Sequence, residues 1–249
     1  MKTAISMVLD RSASMGSCRQ STIDAVNSYL AEARADTELK DADFDLTIFD
    51  SESIDSIRSG KPTDISDISR EDFEPRASTP LYDAVGRGID DLDRRATDGK
   101  AILVIVTDGQ ENMSRKHTHE SIKALLDDRQ AKGWLVVFLG AGLSAASQGL
   151  AMGIAGAKVA NIGLDHASLH NTMAAVRGMN SAYAATLSLD EASAYTARAA
   201  FSAGERRAMG DASEGAGLII GGKAVPGGIG GGKPQDAWPK ARSGDAWGG

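Results

Sequence analysis

Two near-continuous apolar runs, Ala4 to Leu9 and Ala101 to Val106, each lead directly to a carboxylate: Asp10 after the first, and Asp108 within Thr107-Asp108-Gly109 after the second. Runs of this length with so few polar interruptions read as strands covered on both faces, because helices above and below leave no side for water. Helical spacing fills the intervals. Ile23, Val26, Leu30 and Ala33 mark an amphipathic helix over Ser21 to Ala35, and Ala84, Val85, Ile89 and Leu92 mark another over Leu81 to Leu92. Thr118 is placed to cap a helix running to about Lys132 and stopped by Gly133, and Leu143 to Met152 predicts one more. Trp134 to Leu139 and Lys158 to Ile162 read as further strands. Phe44, Leu46 and Ile48, then Ile54 and Ile57, alternate around Asp50-Ser51-Glu52 and predict two edge strands joined by a short turn.

Strands alternating with helices predict an α/β fold, doubly wound, with a mostly parallel sheet, helices on both faces and right-handed crossovers. Ligands of such sheets collect at the C-terminal ends of the strands, near the switch in strand order. Asp10 and Asp108 are both expected at that edge.

Composition divides the 249 residues into three parts. Residues 1–163 hold the α/β pattern. Residues 164–203 are Ala-rich, with Met173, Val176, Met179, Tyr183 and Leu187 at near-helical spacing, and predict one or two helices packed on the core. Residues 204–249 contain fourteen of the 28 glycines, too many for a packed element, and are expected to form a flexible tail. The tail repeats Asp236-Ala237-Trp238 as Asp245-Ala246-Trp247. Trp238 and Trp247 either dock on a partner or fold back on the same domain.

A net charge of −7 argues against a surface built to wrap nucleic acid. The acidity is local: residues 36–74 hold thirteen Asp and Glu against four Lys and Arg, which reads as a solvated acidic face, or less simply as a loose extra cation site. Cys18 is the only cysteine, so neither a disulfide framework nor a four-sulfur zinc site can be built, and a reducing compartment fits. The first strand begins at once after Met1-Lys2-Thr3, and no apolar run nears the roughly 20 residues of a membrane-spanning helix. A cytoplasmic protein without membrane contact is expected.

The chemistry is carried by Asp10, Ser12 and Ser14. One carboxylate and two hydroxyls at alternate positions after a buried strand deliver three hard oxygens to one point, the donor type a magnesium-class ion prefers. Alone, this spacing is also an ordinary turn. Asp108 at the end of the second buried strand, and a hydroxyl at Thr79 just before a helix with Pro80 at its start, raise it above that reading.

In order and residue type, Asp10-x-Ser12-x-Ser14, Thr79 within Thr-Pro-Leu-x-Asp-Ala, and Asp108 within Thr-Asp-Gly resemble the metal-ion-dependent adhesion site of the von Willebrand factor A (vWA) domain. The likeness covers roughly residues 1–163. Ala13 stands where family members often carry Gly, so a small residue is retained. The chain is most similar to small stand-alone bacterial and phage-encoded members, which continue as Asp108 to Asn112 and Gly133 to Ala141 do here. The resemblance implies a Mg²⁺ ion, with Mn²⁺ or Ca²⁺ as substitutes. Ser12 and Ser14 would bind it directly, Thr79 directly or through water, and both Asp largely through water. It further implies a protein partner that supplies an Asp or Glu carboxylate, with no bond made or broken.

Other readings compete. A Mg²⁺-dependent phosphoryl transfer could use a strand-end Asp, but Ser12 stands where a second Asp would serve as general acid, and no G-x-S-x-G elbow occurs. Gly140-Ala141-Gly142-Leu143-Ser144-Ala145 matches a dinucleotide fingerprint, although a tight strand-to-helix turn explains it more cheaply. Gly227 to Lys233 nearly matches a phosphate loop, with Pro234 in place of the hydroxyl ligand, and the final diglycine resembles the end of a ubiquitin-like modifier. His117-Thr118-His119 precedes a helix and reads as an exposed cap, with metal binding as the lesser alternative. Glu111 and Asn112 either line the rim of the metal face or, as reads more simply for Asn112, close a turn on their own backbone.

Overall fold

All seven residues of β1 (Ala4–Asp10) and all seven of β4 (Ala101–Thr107) are buried. In the computed structural model, which describes residues 1–97 and 99–211, these strands lie side by side and parallel at the centre of a six-stranded sheet. The chain continues from β1 through α1 (Arg19–Ala35) to β2 (Asp43–Phe49) and β3 (Ile54–Gly60), then through α2 (Leu81–Arg95) to β4. After β4 come α3 (His119–Ala131), β5 (Leu135–Ala141), α4 (Leu143–Ala151) and β6 (Val159–Ile162). The strand order is β3-β2-β1-β4-β5-β6, parallel throughout except for the antiparallel β3. The order therefore turns back between β1 and β4, and the C-terminal ends of those two strands flank the switch point.

Alternation along the strands sorts the core into two layers. Ile5, Met7 and Leu9 of β1, with Ile102, Val104 and Val106 of β4, face Ile23, Val26 and Leu30 of α1. Ala4 and Val8, with Leu103 and Ile105, face Val85, Ile89 and Leu92 of α2, together with Ile122 and Leu126 of α3. At roughly 1.5–3 kcal/mol for each large aliphatic side chain removed from water, the two central strands are the main source of cohesion.

β2 is not an edge strand, contrary to its alternating pattern. It pairs with β1 on one side and β3 on the other, so of these two strands β3 alone lies at a sheet edge. Asp45 and Thr47, the polar residues behind the edge reading, are buried and satisfy one another: the Thr47 hydroxyl donates to Asp45 Oδ2 at 2.7 Å, and Ser56 of β3 donates to the same carboxylate. The acidic stretch is mostly solvent-facing, as its composition suggests, with Glu38, Asp41, Asp64 and Glu74 among its exposed acids, but two others are enclosed by arginines. Asp50 is buried against Arg11, and Asp72 is paired with Arg58.

Beyond β6, α5 (His166–Ala184) packs its Leu169, Met173, Val176 and Tyr183 into the α1 layer, followed by α6 (Leu189–Arg198). Ordered structure passes the boundary expected at Gly204. The segment forms α7 (Ala203–Ala208), capped by a reciprocal Ser202–Glu205 pair, and Arg206 donates to the Val159 carbonyl of β6 at 2.9 Å while pairing with Asp211 at 3.0 Å. The residues from 212 onward, Trp238 and Trp247 included, lie outside the described residues. No helix among the described residues is long and apolar enough to cross a membrane.

Gly140 and Gly142 are explained by the turn into α4. A Cβ on Gly140 would stand 2.6 Å from the Ala146 nitrogen, and Gly142 has φ of 88°, so close packing and a left-handed backbone account for both glycines without a nucleotide.

Lys100, just before β4, is fully buried, and its ammonium donates to the carbonyls of Ala184 and Thr186, each at 2.7 Å, at the end of α5. Lys100→Met strips both bonds from a half-buried helix end. Urea denaturation should show a loss of about 2–4 kcal/mol.

Candidate metal site

Asp10 ends β1 with its side chain fully buried. Both carboxylate oxygens are engaged: the Ser12 N–H donates to Oδ1 at 2.7 Å, and the hydroxyl of Thr107, the last residue of β4, donates to Oδ2 at 2.5 Å. Immediately after β1 the chain makes a short 3-10 turn (Ala13–Cys18), which brings the Ser12 and Ser14 hydroxyls within 3.1 Å of each other. Ser14 Oγ in turn donates to Asp108 Oδ1 at 2.7 Å across 94 residues of sequence.

Thr79 arrives from a separate loop. A Cβ built on Gly109 would meet Thr79 Oγ1 at 2.8 Å and Asp10 Oδ2 at 3.5 Å, so both oxygens lie around one point that only glycine leaves open. The structure thus brings Asp10, Ser12, Ser14, Thr79 and Asp108 together at the C-terminal edge of β1 and β4.

Several residues hold the Thr79 loop in place. Arg76 N–H donates to the Arg11 carbonyl at 2.9 Å, and Ala13 N–H donates to the carbonyl of Ala77, which adopts φ of 58°. Asp50, buried beneath, accepts from both Arg11 and Arg76, tying this loop to the β2–β3 turn. On the other side Asn112 makes a reciprocal pair with Thr79: the Thr79 N–H donates to Asn112 Oδ1 at 2.9 Å, and the Asn112 N–H to the Thr79 carbonyl at 3.1 Å.

Asn112 is therefore a clamp on the Thr79 loop, not a closure of its own turn. Glu111 does not line the rim either. Its carboxylate accepts from the Tyr82 N–H in the first turn of α2 at 2.9 Å and from Ser114, filling orphan donors at a helix start. Asp83 works in the opposite direction, accepting from the N–H groups of Arg115, Lys116 and His117 at 2.8–2.9 Å. Burial pushes Asp83 up, but those three bonds outweigh it and hold the carboxyl below its ordinary range. His117, expected to be exposed, is half-buried with its ring against Gly86 of α2, while Thr118 does cap α3. No signal in the linear sequence distinguishes a carboxylate that fills backbone donors across 29–34 residues from one that faces solvent.

Asp50 and Asp10 are both buried carboxylates with opposite electrostatics. Burial also pulls Asp50 up, yet the Glu52 and Ser53 N–H groups, Arg76 and Arg11 overcome it and lower its pKa. Among the described residues Asp10 has no Lys or Arg in an ion pair. Burial pushes it up to about 6, with Thr107 and Ser12 only partly offsetting and Asp108 adding to the rise. Burial raises Asp108 too, against the bond from Ser14.

These donors fit a small hard cation. Adjacent oxygens around an octahedral ion with bonds of about 2.1 Å are roughly 3 Å apart. The Ser12–Ser14 and Ser14–Asp108 separations, 3.1 and 2.7 Å, match that edge. Among the described residues no group of three or more His, Cys, Asp or Glu is placed to hold a metal, so a soft or strongly chelated ion has no site of that kind there.

No protein-family model matches the sequence, and no curated protein does. Solved structures do. A pilus adhesin, SpaC, from Lactobacillus rhamnosus GG superposes over 72% of this chain and 30% of its own, with a TM-score of 0.55 at 14% identity. The SpRpn10 VWA domain matches over 71% of this chain and 95% of its own, with a TM-score of 0.51 at 12% identity. Proximal thread matrix protein 1 of the mussel byssus matches over 71% of this chain and 47% of its own, with a TM-score of 0.50 at 15% identity. The chain thus spans about half the length of the byssus protein. It is a doubly wound α/β protein, and its fold is that of the vWA domain.

The raised Asp10 pKa gives a signed expectation. The folded state holds the Asp10 proton more tightly than the unfolded chain does, so its contribution is present at low pH and lost as pH rises from about 3.8 through about 6. In chelator, wild type should lose up to about 3 kcal/mol relative to Asp10→Asn across that window, measured by urea denaturation at successive pH values. With Mg²⁺ as the expected occupant, Asn112→Ala, which frees the Thr79 loop, should weaken its binding roughly tenfold in calorimetry, comparable to losing other supporting residues around metals.

Proposed function

We propose that this protein is a divalent-cation-dependent protein-binding module. Asp10, Ser12, Ser14, Thr79 and Asp108 hold a Mg²⁺ ion, for which Mn²⁺ or Ca²⁺ can substitute, and a partner protein completes the coordination with an Asp or Glu carboxylate. The observation that carries this reading is the convergence of two carboxylates and three hydroxyls at one strand edge with, among the described residues, no Lys or Arg in an ion pair with Asp10 or Asp108. Hydroxyl donors bring no charge. An ion held partly by them keeps its pull on an acidic oxygen from outside.

The arrangement favours binding over phosphoryl transfer. Both Asp10 oxygens are occupied, by the Ser12 N–H and the Thr107 hydroxyl, which suits a fixed supporting ligand better than an attacking nucleophile. Glu111 and Asp83, the nearby carboxylates that could act as general acid, are committed to backbone N–H groups. The names of two fold neighbours, an adhesin and a thread matrix protein, also suit binding. With its single cysteine buried, the protein suits a reducing cytoplasm, bacterial or phage-infected.

Calorimetry should show saturable Mg²⁺ binding to wild type and none to Asp10→Ala. In pull-downs, the set of retained proteins should collapse equally on chelation and on Asp10→Ala. Retention unchanged by both treatments refutes the metal-bridged reading.

A further inference from the structure

Most basic side chains of this acidic chain are committed. Arg11 and Arg76 lie on Asp50, Arg58 on Asp72, Arg95 on Asp91, Arg129 on Asp93 and Arg177 on Glu32. Arg87, Arg115 and Lys116 differ: all three are exposed, and none has a side-chain partner among the described residues. All three line one cleft of about 390 Å³, between the β2–β3 turn, the first turns of α2 and the loop after β4. The main chain beneath two of them is fixed, because the Arg115 and Lys116 N–H groups are held by Asp83.

The acids on the walls are mostly spent. Asp50 is occupied by Arg11 and Arg76, Glu52 by Arg76, and Asp83 by backbone donors, leaving Asp90 as the wall carboxylate without a partner among the described residues. The cleft also carries apolar surface. Met113 is 38% exposed, one of four large apolar side chains so exposed among the described residues, and the half-buried Ile54 also lines the cleft.

The cleft adjoins the metal-side loops directly. Pro80 follows Thr79 and Met113 follows Asn112, each a single Cα step of about 3.8 Å from the pair that clamps the metal-side loop. A carboxylate-bearing partner drawn to the ion therefore lays its neighbouring residues near Met113, Arg87, Arg115 and Lys116.

We infer that this cleft is the second half of the partner surface, taking a further acidic side chain and an apolar neighbour from the same protein segment whose carboxylate reaches the metal. The inference rests on the metal-bridged reading for its first contact. Charge complementarity selects the occupant: three uncommitted cations beside an apolar rim suit a short acidic-apolar peptide segment. They are too few, with Asp90 among them, for a polyphosphate backbone.

The probes are fluorescein-labelled octapeptides holding one Asp, with a Leu-Glu pair two to five residues away, and matched Leu-Gln controls. Anisotropy titrations in Mg²⁺ should show at least one Glu peptide binding about tenfold more tightly than its Gln control. Arg87→Gln/Arg115→Gln/Lys116→Gln should erase that difference while keeping wild-type Mg²⁺ affinity in calorimetry. A Glu–Gln difference that is absent, or that persists in the triple variant, overturns the cleft assignment, as does tighter binding of a labelled single-stranded oligonucleotide. Loss of Mg²⁺ binding alone, with the Glu–Gln difference intact and still sensitive to the triple variant, overturns the metal reading and leaves the cleft standing.

Discussion

A carboxylate buried at the end of a central strand, with no basic partner among the described residues, is the constraint around which this fold is arranged. Asp10 cannot turn to solvent, because β1 lies between two parallel strands with helices on both faces. Nor can it lean on Arg11, the next residue, whose guanidinium is drawn away to Asp50. What remains is a pair of neutral donors, the Ser12 N–H and the Thr107 hydroxyl, which orient the carboxylate without neutralising it. Isolated buried charge is costly, and proteins answer it by protonation, by an ion pair or by a metal. The contrast with Asp50, equally enclosed but matched by two guanidiniums, shows that this fold does build the ion-pair solution where it needs one.

Much of the remaining polar chemistry near this edge serves position. Glu111, Asn112 and Asp83 spend their acceptors on main-chain donors of other segments, joining the loop after β4 to the Thr79 loop and to the first turn of α2. Such bonds remove unsatisfied donors at the helix start and fix where the Thr79 hydroxyl lies. The same economy explains β2, whose Asp45 and Thr47 are tolerated inside the sheet because each supplies what the other lacks. Cohesion and site geometry are therefore coupled.

The helices after β6 complete the core. Tyr183 of α5 is wholly buried and donates to the Gly133 carbonyl, and Arg206 and Asp211 cover the outer side of β6. A free strand edge is a template for unwanted pairing, and charged side chains or a covering helix are common remedies.

The sequence by itself determined the strand and helix order, the parallel sheet and the oxygen-bearing residues that gather at its C-terminal edge. Apolar runs, helical periodicity and strand-end carboxylates are local signals that survive in linear text. Asp10 and Asp108 were legible because a buried strand must place its last residue at the sheet edge. Tertiary structure alone decided which polar residues face inward and which pair with one another. Asp45 and Thr47 look solvent-facing until β3 is laid beside them. Asn112 and Thr79 are 33 residues apart and meet only through the crossover that sets α2 against the sheet. Arg87 joins Arg115 and Lys116 in one cleft by the same packing. Hydrogen bonding and ion pairing are short-ranged and indifferent to sequence separation, so partners across a parallel sheet leave no periodic trace in the chain.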